Sequence, residues 1–369
     1  MSYTFLATAA FGLEGVAANE LKRMDIPARA ENGGARFEGS LLDAYKANLC
    51  LRTADRVLMV LAEEKVNTFE DLFQLVSRIA WERLLTKDAS IHVSGKCVRS
   101  RLMSVRDCQS ISKKAIVQRL MQKLHVSRLP ETGVTYPIDI AIVNDLCRIT
   151  LDMSGDALNR RGYRTWNGEA PLRETLAAAL VDLSPWRSGM RLYDPCCGTG
   201  TLLIETAIKA VGRPAGIKRS FACESYTFMP QADMKALRAE LSASYNENTA
   251  FTIEGSDINP EALDLSRRHI RQAGFENRIQ VRQQDLRTLQ LEGEPGVFLI
   301  NPPYGERISD QKGARELYRE LGLLMKRHPG WKLAVITADP AFERSFGKRA
   351  DKKRRLYNGR LECEFYLYY

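Results

Sequence analysis

The opening residues Met1-Ser2-Tyr3-Thr4-Phe5 read as a strand, and the spacing of Leu13, Val16, Ala17 and Leu21 then places four apolar side chains on one helical face. After Gly33-Gly34 the alternation Ala35-Arg36-Phe37-Glu38-Gly39 predicts another strand, which makes residues 1–45 a small α+β unit. From 46 to 155 helical and strand patterns mix. Phe69-Glu70-Asp71-Leu72-Phe73 begins a helix, and Ser90 to Cys97 alternates as a strand. The run Ser100 to Ser110 leads into a helical stretch, where Ile111, Ala115, Ile116, Arg119 and Leu120 lie on or beside one face. From about 165 to 369 strands and helices take turns, the pattern of a doubly wound parallel sheet. Two helices precede its first core strand, one of them over Pro171–Leu180.

Composition narrows this α/β reading. A chain of 369 residues exceeds what one core usually organises, so two or three domains are expected. No run of about eighteen apolar residues occurs, which argues against a membrane span. The first residues lack the basic-then-apolar layout of a secretory leader. Eight cysteines form no C-x-x-C pair, so zinc and redox motifs are unsupported, and reduced thiols in the cytoplasm are expected. The net charge of +9 favours a polyanionic partner. Its densest N-terminal expression is Lys96, Arg99, Arg101, Arg106, Lys113 and Lys114, which reads either as a solvated face or as a surface tracking phosphates.

Candidate chemistry gathers in the last 180 residues. Asp194-Pro195-Cys196-Cys197-Gly198-Thr199-Gly200-Thr201 follows a strand and opens a helix. Its two glycines let the backbone turn sharply beneath a ligand, and the helix starting near Thr201 points free N–H groups at it. Leu203 stands where a dinucleotide fingerprint has its third glycine, which fits a ligand without a pyrophosphate. Asp257, followed by Ile258, supplies the acid for ribose hydroxyls 63 residues after Asp194, where a spacing of about 20 is usual. The excess is an insertion from Arg213 to Glu247, rich in Lys, Arg and aromatics. A third strand, Ile279 to Asp285, ends in a carboxylate placed to accept from an adenine amino group.

The strand Gly296 to Ile300 runs straight into Asn301-Pro302-Pro303-Tyr304. Two prolines make this loop rigid. The Asn301 side-chain oxygen and the Pro302 carbonyl are placed to accept both hydrogens of an exocyclic amine, turning its lone pair toward a sulfonium methyl, and Tyr304 offers a face for stacking the base. Orientation and hydrogen bonding, not covalent attack, would do the catalysis. The Pro195-Cys196 pair lies in the cofactor turn, away from where a nucleophilic cysteine would act, and the four histidines show no metal-ligand spacing.

With these motifs the chain resembles the THUMP-domain class I RNA methyltransferases, close to the bacterial large-subunit rRNA guanine-N2 enzymes. The likeness also rests on Arg106 to Ile116, on Arg161-Gly162-Tyr163-Arg164 with Ala170-Pro171-Leu172-Arg173-Glu174, and on Leu356-Tyr357-Asn358-Gly359-Arg360. It implies a Rossmann-like class I methyltransferase domain over 165–369 that uses S-adenosylmethionine, preceded by an α+β region: a ferredoxin-like part over 1–45 and an RNA-gripping THUMP domain over 46–155. It strengthens the phosphate-tracking reading of the basic stretch, and makes the insertion and Lys348 to Arg355 further candidates for RNA contact. Tyr163 and Trp166 are candidates either for stacking on substrate or for packing. The motif serves adenine and guanine amines alike, so DNA adenine-N6 methylation stays open beside RNA guanine-N2 methylation on rRNA or tRNA. A non-catalytic assembly factor keeping the fold is opposed by the intact Gly198, Gly200, Asp257, Asp285 and Asn301.

Overall fold

A computed structural model describes residues 2–164, 172–304 and 308–369, with the side chains of 308–311 outside that description. Its first half contains β1 (Tyr3–Thr8), α1 (Glu14–Lys22), β2 (Ala28–Glu31), β3 (Gly34–Gly39), α2 (Leu41–Cys50), β4 (Arg56–Lys65), α3 (Phe69–Arg78), β5 (Ser90–Val98), α4 (Val105–Leu124), β6 (Thr135–Val143) and β7 (Leu146–Asp152). Local chemistry fixes the helix starts. Ser40 with Asp43 and Thr68 with Asp71 form reciprocal capping boxes for α2 and α3, each satisfying two otherwise orphaned backbone donors. Ser104 accepts from the Asp107 N–H, so α4 begins at Val105 and takes in the lead-in expected to precede it.

These strands form one seven-stranded sheet in the order β2-β3-β1-β4-β7-β6-β5. Because β1 pairs with both β3 and β4, and β4 pairs with β7, the sheet runs unbroken past residue 45. One face carries Phe5, Phe37, Met59, Ile138, Ile140 and Leu151 into a shared core with the helices. On the other face Arg36 and Arg148 bridge Glu63 at 2.7 Å each, so its charges are paired across strands.

The second half contains α5 (Glu174–Leu183), β8 (Leu192–Asp194), α6 (Thr201–Ala210), α7 (Gln231–Ser244), β9 (Ile253–Asp257), α8 (Pro260–Ala273), β10 (Ile279–Gln283), β11 (Val297–Ile300), α9 (Ile308–Arg327), β12 (Lys332–Thr337), α10 (Phe342–Phe346), β13 (Lys352–Asn358) and β14 (Leu361–Tyr368). Its sheet order is β10-β9-β8-β11-β12-β14-β13. The strands from β8 to β12 are parallel, and β14 pairs antiparallel with both β12 and β13. Of the helices expected before the first core strand, α5 is the one among the described residues; it starts at Glu174 rather than Pro171, which lies outside them.

The insertion between Arg213 and Glu247 packs mainly on the first half. Phe221, Cys223, Tyr226, Met229 and Met234 are buried in the N-terminal core, where Tyr226 stacks on Tyr136 with ring centroids 4.7 Å apart. Its three arginines are engaged as well, whereas Lys218 and Lys235 are exposed. Arg213 donates to the Ala273 carbonyl at 2.6 Å, Arg219 to the Asp156 carbonyl at 2.6 Å, and Arg238 to the Tyr45 hydroxyl at 2.9 Å. The segment therefore ties the two halves together, and the arginines and aromatics that suggested RNA contact are spent largely on internal packing.

A buried charge network completes the seam. Arg52 donates to the Glu205 carbonyl at 2.8 Å and bridges Asp182 at 3.3 Å, while Glu20 accepts from the Arg52 backbone N–H at 2.8 Å. Tyr163, buried, donates to Glu205 Oε1 at 3.0 Å, so it packs. Trp166 lies outside the described residues.

Candidate active site

The carboxyl ends of β8, β9, β10 and β11 share one sheet edge because these strands are parallel neighbours. At the end of β8 the chain turns through Gly198 and Gly200, with φ of +50° and +81°. Both lie in the left-handed region that glycine adopts without strain. A Cβ on Gly200 would also come within 2.5 Å of Ser266 Oγ, so close packing of α6 on α8 requires glycine there. Over Gly198 nothing lies within 4 Å of such a Cβ, which leaves the backbone open to a ligand.

Three carboxylates frame this turn. Asp194 is buried, its Oδ1 accepting from the Cys196 N–H at 3.0 Å, and burial, reinforced by the charge of Asp257, holds its carboxyl well above the usual range. Asp257 accepts from the Gly198 N–H at 2.8 Å through Oδ2 and from the Asn259 N–H at 2.9 Å through Oδ1. It thus fixes the glycine turn against β9 and keeps further lone pairs for a ligand. Asp285 stands two residues beyond β10 instead of ending it, and caps a short 3₁₀ turn by accepting from the Arg287 N–H at 2.9 Å.

Cys196 lies amid all three. Burial first, then Asp194, Asp257 and Asp285, push its thiol well up, the opposite of what a nucleophilic thiolate needs. Ile258, at 67% exposure, presents an apolar side chain beside Asp257. Thr199 and Thr201 are tied from outside the turn. The Thr199 carbonyl meets His269 Nδ1 at 3.1 Å, and Arg164 donates to Thr201 Oγ1 at 2.5 Å while bridging Glu174 at 3.3 Å. Among the described residues no group of three or more His, Cys, Asp or Glu is arranged to hold a metal ion.

Strand β11 is buried along its whole length and delivers Asn301-Pro302-Pro303-Tyr304 to the same edge. The Tyr304 hydroxyl donates to Asn301 Oδ1. Its ring is half-buried against the cluster containing Leu356 and Cys363. Asn358 and Cys363 face the hydroxyl, and burial raises its pKa. Tyr318 of α9 supports the loop from behind, donating to the Pro303 carbonyl at 3.5 Å and meeting Thr337 Oγ1 at 2.9 Å. Tyr318 and Ser266 carry no signal in the sequence, being ordinary helical positions. Arg164 had one, as part of Arg161-Gly162-Tyr163-Arg164.

The expected basic surface lies on β5, the loop after it and α4. Lys96, Arg99, Arg101, Arg106 and Lys114 are exposed, whereas Lys113 is half-buried and bridges Glu131 at 2.8 Å. Lys352 to Arg355 are exposed on β13, the edge strand of the second sheet. Among the described residues no helix is long and apolar enough to cross a membrane.

Comparison with known proteins places this geometry. A family model for the RMKL-like methyltransferase domain matches residues 161–366, one for the RlmL ferredoxin-like domain matches 4–58, and one for the THUMP domain matches 66–152. The chain is 37% identical to YpsC of Bacillus subtilis (strain 168), provisionally named an RNA methyltransferase, over 100% of this chain and 96% of that protein. It is 34% identical to ribosomal RNA large subunit methyltransferase K/L of Methylococcus capsulatus over its full length, yet spans 51% of that longer protein. The crystal structure of SMU.472, a provisionally assigned methyltransferase complexed with SAH, superposes with a TM-score of 0.96 at 36% identity, covering 100% of this chain and 98% of that one. The chain therefore belongs to the RMKL-like methyltransferase family, with an RlmL ferredoxin-like domain and a THUMP domain ahead of its methyltransferase domain.

Proposed function

We propose that this chain transfers a methyl group from S-adenosylmethionine to the exocyclic N2 amine of a guanine in RNA, with 23S rRNA as its substrate. One observation carries the reading: the glycine turn, Asp257, Asp285 and Asn301-Pro302-Pro303-Tyr304 close four neighbouring parallel strands on a single edge. The site suits the cofactor physically. Asp257 and Asp285 bring carboxylates to the pocket that suit a sulfonium and an amino group, and the open backbone at Gly198 lets a ligand approach. Asp257 would hold ribose hydroxyls, Ile258 would cover one face of the adenine, and Asp285 would accept from its amino group. When bound, the cofactor supplies an electrophilic methyl group.

The residues of this chain prepare the acceptor. Asn301 Oδ1 and the Pro302 carbonyl accept the two amine hydrogens, which concentrates the nitrogen lone pair and aims it along one direction. An amide oxygen has two lone pairs, so the Tyr304 hydroxyl can orient Asn301 while the amine takes the other. The THUMP match and the names of YpsC and the K/L relative support RNA over DNA, and the net charge of +9 suits a polyanion of either kind. We divide the labour as the sequence suggests: behind a ferredoxin-like part over 1–45, the THUMP domain over 46–155, with Lys96, Arg99, Arg101, Arg106, Lys113 and Lys114, grips RNA, and 165–369 perform the transfer.

The test supplies tritiated S-adenosylmethionine together with rRNA, tRNA or duplex DNA from cells lacking the protein. Label is expected in large-subunit rRNA, recovered as N2-methylguanosine by nucleoside mass spectrometry. Label in DNA alone, or in N6-methyladenosine, would overturn the assignment.

A further inference from the structure

Phe11 is 61% exposed in the loop between β1 and α1, so one face of an aromatic ring is open to a partner. This loop belongs to the N-terminal half but is seated on the catalytic half. Gly12, at φ +88°, packs so closely on β13 that a Cβ would lie 2.8 Å from the Arg355 carbonyl oxygen. Arg354 locks the contact by donating to the Gly12 carbonyl at 2.7 Å. The Phe11 ring meets Tyr357 edge-on, with centroids 5.5 Å apart.

Tyr357 adjoins Asn358, which faces the Tyr304 hydroxyl, and Ala9, Ala10 and Leu13 pack in the same cluster as Tyr304. A close seam thus holds Phe11 against β13, the strand whose last residue, Asn358, faces the Tyr304 hydroxyl. Its surroundings are cationic. Lys352, Lys353, Arg354, Arg355 and Arg360 are all exposed, and the nearby carboxylates Glu343 and Glu362 engage Lys353 at 3.2 Å and Arg355 at 3.3 Å. An exposed ring flanked by an excess of Arg and Lys suits single-stranded nucleic acid, in which bases stack on aromatics while cations follow the phosphates.

We infer that the seam of the Ala9–Leu13 loop and the β13–β14 hairpin is a composite subsite for single-stranded RNA flanking the target base, in which Phe11 stacks on one nucleobase and Arg355 and Arg360 hold neighbouring phosphates. This rests on the RNA reading above. It adds that both halves of the chain build the substrate channel, so a nucleotide adjacent to the methylated one is bound by a residue outside the catalytic domain.

The test uses the full-length protein with in vitro transcribed 23S rRNA, measuring binding by filter retention and turnover with tritiated cofactor. Phe11→Ala should raise both Kd and KM for RNA about tenfold, the loss of one base stack, while cofactor affinity and Tm stay as in the wild type. Phe11→Trp should restore affinity, and Arg355→Gln should flatten the salt dependence of binding. Wild-type RNA affinity and KM in Phe11→Ala would sink the subsite while leaving the RNA assignment standing. A wild-type protein that neither binds nor methylates the transcript would overturn both.

Discussion

Asn301 carries the sharpest single-residue consequence. It sits at the mouth of the site, so Asn301→Ala should leave cofactor binding by calorimetry unchanged yet reduce turnover at least about 100-fold, the scale of losing one preorganised hydrogen-bonding group in a transition state. Unchanged turnover would remove it from the mechanism. Asp194 offers a pH-dependent counterpart. Burial raises its carboxyl pKa in the fold, so folding favours the protonated form. The resulting penalty is absent below the ordinary carboxylate range, grows as pH rises toward the folded pKa, and is constant above it. Asp194→Asn keeps an oxygen for the Cys196 N–H and should raise Tm by a few degrees at pH 8. That gain should fade as the pH approaches about 4. A gain independent of pH would show that the carboxylate is not the cause.

Among the elements, the Arg213–Glu247 insertion departs most from expectation. Its composition resembles a nucleic-acid-binding loop, but Phe221, Tyr226 and Met234 fill the N-terminal core and α7 lies along α2. Tyr226 also donates to the Asp152 carbonyl at 2.6 Å. Tyr226→Ala should cost about 3 kcal/mol in urea unfolding through the cavity left and the unpaired carbonyl. A cost below about 1 kcal/mol would mean that the insertion adheres only loosely. The sequence could not foretell this: a half-polar segment with spaced aromatics packs or stacks on a ligand depending on which surface lies opposite it. By contrast, the capping boxes of α2 and α3 depend on residues three apart and are fully local.

Across the whole molecule, the two halves act as one body through the seam around Arg52. Its guanidinium joins Asp182 and the Glu205 carbonyl of the catalytic half, and Lys209 shares Asp182 at 2.8 Å. Removing one member of such a buried set leaves charges and acceptors uncompensated. Arg52→Ala should therefore destabilise the protein by about 3 kcal/mol and split its calorimetric transition into two, one per half; a single transition at the wild-type Tm would argue that the insertion alone couples them. The chain by itself determined what depends on local order: alternating strands and helices, the glycine turn, and the succession of Asp257, Asp285 and Asn301 that a parallel sheet must bring to one edge. Tertiary structure decided what depends on apposition. It joined seven N-terminal strands into one sheet, turned the insertion inward, set the Tyr304 hydroxyl on Asn301, and brought Phe11 to β13 across more than 300 residues. Periodicity fixes which face of an element is apolar, but the partner that covers that face is chosen only when the whole chain has packed.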